Sequence, residues 1–126
     1  IKDFKIKKNI QIKFILFDKN KLVKKLPPPL RLLIYRTIQE SLNNIGKHAN
    51  AKNVTIKLKI TNNKINISVT DNGKGFVVED VFDNIKTNGH YGLLGMKERV
   101  ELADGNIDFI SMPNKGTTVK IELPWN

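Results

Sequence analysis

Residues 54–76 read VTIKLKITNNKINISVTDNGKGF. Val54, Ile56, Leu58 and Ile60 alternate with Thr55, Lys57 and Lys59, and Ile65, Ile67 and Val69 resume the alternation after Thr61-Asn62-Asn63-Lys64. A period of two on either side of a short polar turn predicts a hairpin with one buried face. Asp71-Asn72-Gly73-Lys74-Gly75-Phe76 follows at once, and two glycines in three residues exclude regular structure there.

Toward the C-terminus, residues 77–91 lack strong periodicity, carry Glu79, Asp80 and Asp83, and end in Asn88-Gly89. They read as a loop with room for one short helical turn. Leu93, Met96, Val100 and Ala103 have helical spacing, and Asp104-Gly105 reads as a glycine cap. Ile107 to Met112 reads as a strand, Pro113-Asn114-Lys115-Gly116 as a turn, and Val119, Ile121 and Leu123 as a last strand before Pro124.

Toward the N-terminus, apolar positions 30, 34, 38, 42 and 45 predict a helix from Leu30 to about His48, with Gly46 a mild defect. Pro27-Pro28-Pro29 is its entry. Before that, Ile10, Ile12, Phe14 and Leu16 share one face of a strand over 10–17, and the Lys-rich stretch around it reads as an edge strand or a frayed terminus. The order is β, α, β, β, loop, α, β, β, without repeat, low-complexity segment or linker. That order predicts an α+β two-layer sandwich, a mixed and mostly antiparallel sheet with helices on one face, as a single domain over residues 1–126.

Composition narrows the function classes. The chain has 126 residues and no cysteine, which excludes a disulfide framework, a thiolate zinc site and a cysteine nucleophile. No apolar run approaches the roughly 20 residues of a membrane span, and the alternating Lys and apolar residues after Ile1 lack the layout of a signal peptide. A formal net charge of +10 suggests a nucleic-acid partner. Nine Lys and two Asp within residues 1–26 carry most of that excess, however, and the remaining hundred residues are nearly balanced.

Three separated pieces can carry chemistry. On the first helix, Glu40, Asn43, Asn44 and Lys47 lie opposite the apolar stripe. Glu40 and Asn44 are one turn apart, about 6 Å along the axis, so their oxygens could face one hard cation. A solvated polar face is the plain alternative, although two adjacent Asn are mediocre helix formers for that purpose. In DNGKGF a carboxylate at a strand end precedes two glycines, so backbone can approach a ligand while one acceptor reads it; an ordinary turn is the alternative. The stretch has neither the GK[ST] ending of a P-loop nor the strand–GxGxxG–helix placement of a dinucleotide fold. In GHYGLLGM (89–96) glycines lead into a helix whose N-terminal amides suit an anion, against the alternative of a loop with a helix start.

Together, in this order and spacing, the three pieces resemble the ATP-binding (Bergerat-type, GHKL) domain of two-component sensor histidine kinases. PPPLRLLIYRTIQESLNNIGKHANA is similar to the N-box helix with its lead-in, in the variant whose box begins with Glu, found in kinases that partner response regulators of the nitrate-sensing and quorum-sensing type. DNGKGF resembles the G1 box, GHYGLLGMKERVELADG the G2 box with its helix, and GTTVKIELPW the closing strand. The resemblance covers nearly the whole chain. It implies Asn44 as a Mg²⁺ ligand, with Glu40 beside it orienting metal-bound water or assisting proton transfer. It implies Lys47 and His48 on the phosphate or ribose side, Asp71 accepting from the adenine amino group, and Gly73 and Gly75 at the base. Gly92, Leu93 and Gly95 would line the triphosphate, residues 77–91 would act as the ATP lid, and Thr117 would lie on the adenine side. Neither His48 nor His90 is expected to be phosphorylated, because in such kinases the acceptor histidine lies on an upstream dimerisation helix.

The expectation is therefore a cytoplasmic, monomeric catalytic domain that binds ATP and Mg²⁺, separated from the phosphoacceptor domain of a longer, membrane-anchored kinase that signals to a response regulator. Rival readings are an anti-sigma-factor serine kinase of the same superfamily, a non-catalytic ATP-binding scaffold, and a basic nucleic-acid-binding module. Lys residues without interleaved Tyr or Trp argue against the last, although Phe4, Phe14 and Phe17 are present.

Overall fold

A computed structural model describes residues 9–83 and 91–126. Strand β1 (Gln11–Phe17) leads through a short 3₁₀ turn (Leu22–Lys25) to helix α1 (Pro28–Asn44), which continues as a π-helical turn (Ile45–Ala49). Strands β2 (Asn53–Ile60) and β3 (Lys64–Asp71) form the hairpin read from the alternation, with Ile60 opposite Ile65 at its turn. Helix α2 (Val78–Asp83) is the single turn for which residues 77–91 had room; residues 84–90 of that loop, His90 included, lie outside the described residues. Helix α3 (Tyr91–Leu102) and strands β4 (Asn106–Ser111) and β5 (Thr117–Pro124) complete the chain.

The sheet runs β1-β2-β3-β5-β4, mixed as expected. Only the β1·β2 pair is parallel; the other three are antiparallel. A parallel pair needs a crossover rather than a tight turn, and α1 is that crossover. Val54, Ile56, Leu58 and Ile60 of β2, Ile65, Ile67 and Val69 of β3, and Val119, Ile121 and Leu123 of β5 form the covered face. Ile34, Ile38, Leu42 and Ile45 from α1 and Leu93, Met96 and Val100 from α3 join them in one buried cluster. The two helices run antiparallel, with Ser41 Oγ 3.5 Å from Met96 Sδ and Gly92 against Glu40 and Asn44. The closing strand is tied back to the hairpin turn by Trp125 Nε1, which donates to the Thr61 carbonyl at 2.7 Å.

Three local expectations change. The first helix reaches His48 only by switching at Ile45 from α to π geometry, and Asn50 ends it with φ 51°. Near the second helix end, the left-handed residue is Asp104 (φ 60°), not Gly105. Gly105 donates its N–H to the Val100 carbonyl at 2.9 Å, as in a Schellman turn. A side chain at Gly105 would press on the Glu122 carbonyl and Leu123, so close packing is what demands glycine there. Strand β1 is an edge of the sheet as read, with Leu16 half exposed because, among the described residues, its paired neighbours lie on one side only. The stretch after it is not merely solvated. Both carboxylate oxygens of Asp18 accept backbone N–H groups, from Leu22 at 2.6 Å and Val23 at 3.0 Å, and Leu22 and Leu26 are buried.

Candidate functional site

Alternation along β3 puts residues 65, 67, 69 and 71 on the covered face, and alternation along β5 puts 117, 119, 121 and 123 there. Each series is apolar except at one end, where Asp71 and Thr117 stand opposite each other in the ladder. The sheet thus delivers a carboxylate and a hydroxyl, 6% and 9% exposed, to one corner of an otherwise apolar layer. Burial raises the Asp71 pKa above the ordinary value, and backbone N–H groups of Gly73 and Thr117 counter that by stabilising the carboxylate. The Gly73 bond, to Asp71 Oδ1, is 2.7 Å.

Around this corner lies a cavity. Asn44, Ser41 and Ile45 enter from α1 and its continuation, His48 and Ala49 from the π turn, Gly75 and Phe76 from the loop after β3, and Leu93 from α3. The π turn widens the helix end, a distortion frequent at functional sites, and brings the Ala49 carbonyl within 2.7 Å of the Lys74 N–H. The His48 pKa is lowered, by burial first and then by the charges of Lys47 and Lys74. An anion beside those lysines would relieve that strain on the imidazolium.

The loop 72–76 is held from three sides. Asn72 Oδ1 accepts from the N–H groups of Lys52 and Asn53 at 3.0 and 2.9 Å. Gly75 has φ 64° and lies against the Met112 carbonyl; Gly116 has φ 75° and lies against the Asp71 carbonyl. Either position resists any side chain, both for its dihedral and for want of space. From the third side, Ser111 Oγ accepts from Phe76 N–H at 2.8 Å and contacts the Gly116 carbonyl at 3.1 Å and Thr117 Oγ1 at 2.8 Å.

Of the candidates singled out from sequence, Asn44, His48, Asp71, Gly75, Leu93 and Thr117 line this one cavity. Glu40 and Gly92 lie beside it: a Cβ on Gly92 would collide with Glu40 Oε2 and come within 3.4 Å of Asn44 Nδ2. Gly73 packs on the Ala49 backbone, and Gly95 has open space with only the Arg99 guanidinium near, at 3.4 Å. Lys47 faces a second cleft with Lys52 and Lys74 rather than the cavity. Asn43 turns away, accepting from Gln39 Nε2 at 3.0 Å.

As a donor set for a cation, Asn44 and Glu40 supply an amide and a carboxylate side by side, and Asn44 Nδ2 is committed to the Glu40 carbonyl at 3.2 Å. That leaves Asn44 Oδ1 as its remaining polar atom. No cluster of three His, Cys, Asp or Glu side chains that could hold a metal occurs among the described residues. Two hard oxygen donors suit Mg²⁺, which ordinarily keeps waters and takes further oxygens from a substrate phosphate.

Reasoning from sequence passed over Ser41, Phe76 and Ser111. The available signal for the two serines was a small polar residue continuing an apolar series. Ser41 sits in the α1 stripe and is buried, its hydroxyl bonded to the Thr37 carbonyl at 2.9 Å. Ser111 follows Ile107 and Phe109 on the covered face of β4.

A family model described as histidine kinase-, DNA gyrase B- and HSP90-like ATPase matches residues 30–126. The signal transduction histidine-protein kinase/phosphatase DegS of Brevibacillus brevis is 37% identical over 100 residues, covering 79% of this chain and 25% of its own length. The sensor histidine kinase LiaS of Bacillus subtilis is 38% identical over 91 residues, covering 72% of this chain and 24% of its own. This chain therefore spans about a quarter of the length of these curated relatives. The histidine kinase domain of the Erythrobacter litoralis EL346 blue-light activated histidine kinase shares the fold, with a TM-score of 0.70 at 17% identity over 94% of this chain and 52% of that one.

Proposed function

The chain belongs to the histidine kinase-, DNA gyrase B- and HSP90-like ATPase family, and we propose that it binds ATP with Mg²⁺ in the cavity at the Asp71–Thr117 corner. Within a longer sensor kinase it would then donate the γ-phosphoryl group to a histidine of a separate dimerisation helix. In that step an imidazole nitrogen attacks the γ-phosphorus, the bond to the β,γ-bridging oxygen breaks, and ADP leaves. Such a transfer depends on positioning and charge neutralisation more than on covalent help from the protein. When bound, Mg²⁺ would supply charge neutralisation on the phosphates. Asn44 and Glu40 would hold it, with Glu40 also suited to taking the proton released by the imidazole.

The remaining roles follow the family resemblance. Asp71 accepts from the adenine amino group, with Gly73, Gly75 and Thr117 shaping the base side. His48 and Lys47 serve the ribose or phosphates, and Gly92, Leu93 and Gly95 the triphosphate at the start of α3. The response regulator, the membrane anchor and the cytoplasmic placement belong to the longer protein, of the class whose box begins with Glu; among the described residues no helix is long and apolar enough to cross a membrane. The separate domain would be a monomer.

One observation carries this reading: a buried carboxylate is built into the apolar wall of a cavity whose rim holds the Glu40–Asn44 pair. Calorimetric titration tests it. Mg²⁺-ATP should bind and Mg²⁺-GTP should not. Asp71→Asn should weaken ATP binding by about one to two orders of magnitude, the worth of a hydrogen bond to a charged group. Asn44→Ala should remove the Mg²⁺ dependence. ATP binding indifferent to Asp71→Asn would refute the assignment.

A further inference from the structure

We infer that Ser111, which does not itself line the cavity, fixes the direction of the Thr117 hydroxyl proton and so makes the base-reading wall selective for an amino group over a carbonyl at the purine 6-position. The inference rests on the ATP reading of the cavity and goes beyond it by naming the device that orients its second polar group.

The argument is a count of protons. Ser111 Oγ has three partners: Phe76 N–H at 2.8 Å, the Gly116 carbonyl at 3.1 Å and Thr117 Oγ1 at 2.8 Å. An amide N–H can only donate and a carbonyl can only accept, whereas a hydroxyl carries a single proton and two lone pairs. The Ser111 proton is therefore the one that serves Gly116. Its two lone pairs take the Phe76 N–H and, to satisfy the third contact, the Thr117 hydroxyl proton. Were Ser111 to donate to Thr117 instead, the Gly116 carbonyl would lose this donor, and it sits in a turn packed tightly against Gly75. Only the first arrangement uses all three contacts.

The consequence lies at Thr117. Thr117 lines the cavity, and with its proton committed to Ser111 its Oγ1 has only lone pairs left for a ligand there. Directly opposite in the ladder stands Asp71, whose ionised carboxylate is also an acceptor alone. Two adjacent acceptors match the two N–H bonds of an exocyclic amino group. A 6-oxo group would meet lone pairs on both sides. Ser111 is thus a positioning residue for specificity, reaching the ligand through Thr117.

The test compares Mg²⁺-ATP with Mg²⁺-ITP, its 6-oxo counterpart, by calorimetry on the purified chain. In Ser111→Ala the Thr117 hydroxyl is free to turn its proton into the cavity. The ATP-over-ITP preference should then fall roughly five- to tenfold, about one hydrogen bond's worth, with ITP binding gained as ATP binding is lost. Ser111→Thr retains the hydroxyl and should restore the preference. In a Thr117→Val background, Ser111→Ala should change the ratio no further. That cycle, together with Ser111→Thr, keeps the question open to refutation even if Ser111→Ala alone folds poorly. Equal weakening of both nucleotides, with the ratio unchanged, would mean that Ser111 serves only structure and would overturn the inference alone. A wild-type chain that binds neither nucleotide would overturn the ATP reading and this inference with it.

Discussion

Asp71 concentrates the chemistry of the site because its position is both ordinary and costly. It takes the next inward place in the series Ile65, Ile67, Val69, so the backbone delivers it to the core whatever its side chain. Burial then disfavours its charge, and its pKa rises. Two opposite pH effects follow. The folded chain takes up this proton more readily than the unfolded chain, so the contribution of Asp71 to stability of the ligand-free domain improves as pH falls through its folded-state pKa. Base recognition by Asp71, as proposed, would go the other way, since protonation would remove the acceptor. With adenosine as ligand, so that phosphate contacts and the His48 charge play little part, affinity should hold near neutral pH. It should then decline on acidification at a higher pH than an ordinary aspartate would give, as followed by NMR shifts from about pH 7.5 to about pH 4.5. Affinity unchanged across that range would contradict the acceptor role. In sequence, Asp71 stood out as a carboxylate before two glycines; its partner Thr117 came only through the family resemblance, because nothing local to residue 117 signals a cavity 46 residues from Asp71.

Helix α1 shows what an element contributes beyond its stripe. Pro27 starts it cleanly, its carbonyl accepting from Leu30 and Arg31 at 3.0 and 3.1 Å, and apolar spacing orients it. The change to π geometry at Ile45 was not legible, since Gly46 marks a weak point but not how the chain resolves it. The start of α3 is similar: its glycines read as a set in sequence, but they do different work. Gly95 has open space for a Cβ, so Gly95→Ala should raise unfolding free energy by up to about 1 kcal/mol in urea denaturation, the helix-propensity difference. Gly92 lies against the Glu40 carboxylate, so Gly92→Ala should gain less in the same measurement and displace Glu40, weakening Mg²⁺-dependent ATP binding. Equal gains in stability from both substitutions, with Mg²⁺ dependence intact, would remove the case for a Glu40–Gly92 contact. The end of α3 carries the same lesson: Asp104 takes the left-handed turn, and the glycine beside it is required by packing.

At the scale of the molecule, the helical layer and the sheet meet over a single core, and the cavity is the place where that core stops. Leu42 is fully buried between the two layers, one turn from Ile38 and Ile45. Leu42→Ala should cost about 2–5 kcal/mol, read as a lower urea midpoint with an unchanged slope, because a void at the junction of the layers cannot close readily. A loss below about 1 kcal/mol would indicate that the layers repack freely. Charge at this scale has a structural side as well. A net +10 suggested nucleic acid, but part of the Lys-rich segment carries Leu22 and Leu26 into the core and contributes an Asp18-capped turn. By itself the sequence determined the strands and the two main helices, their order and the inward face of each, because periodicity, proline and turn residues act within a few positions of one another. Only the tertiary structure decided which polar groups meet: Asp71 with Thr117, Glu40 with Gly92, and Ser111 with Phe76, Gly116 and Thr117. Such meetings depend on strand register and on the antiparallel seating of two helices, which arise when the whole apolar surface packs at once and leave no mark on any single stretch of chain.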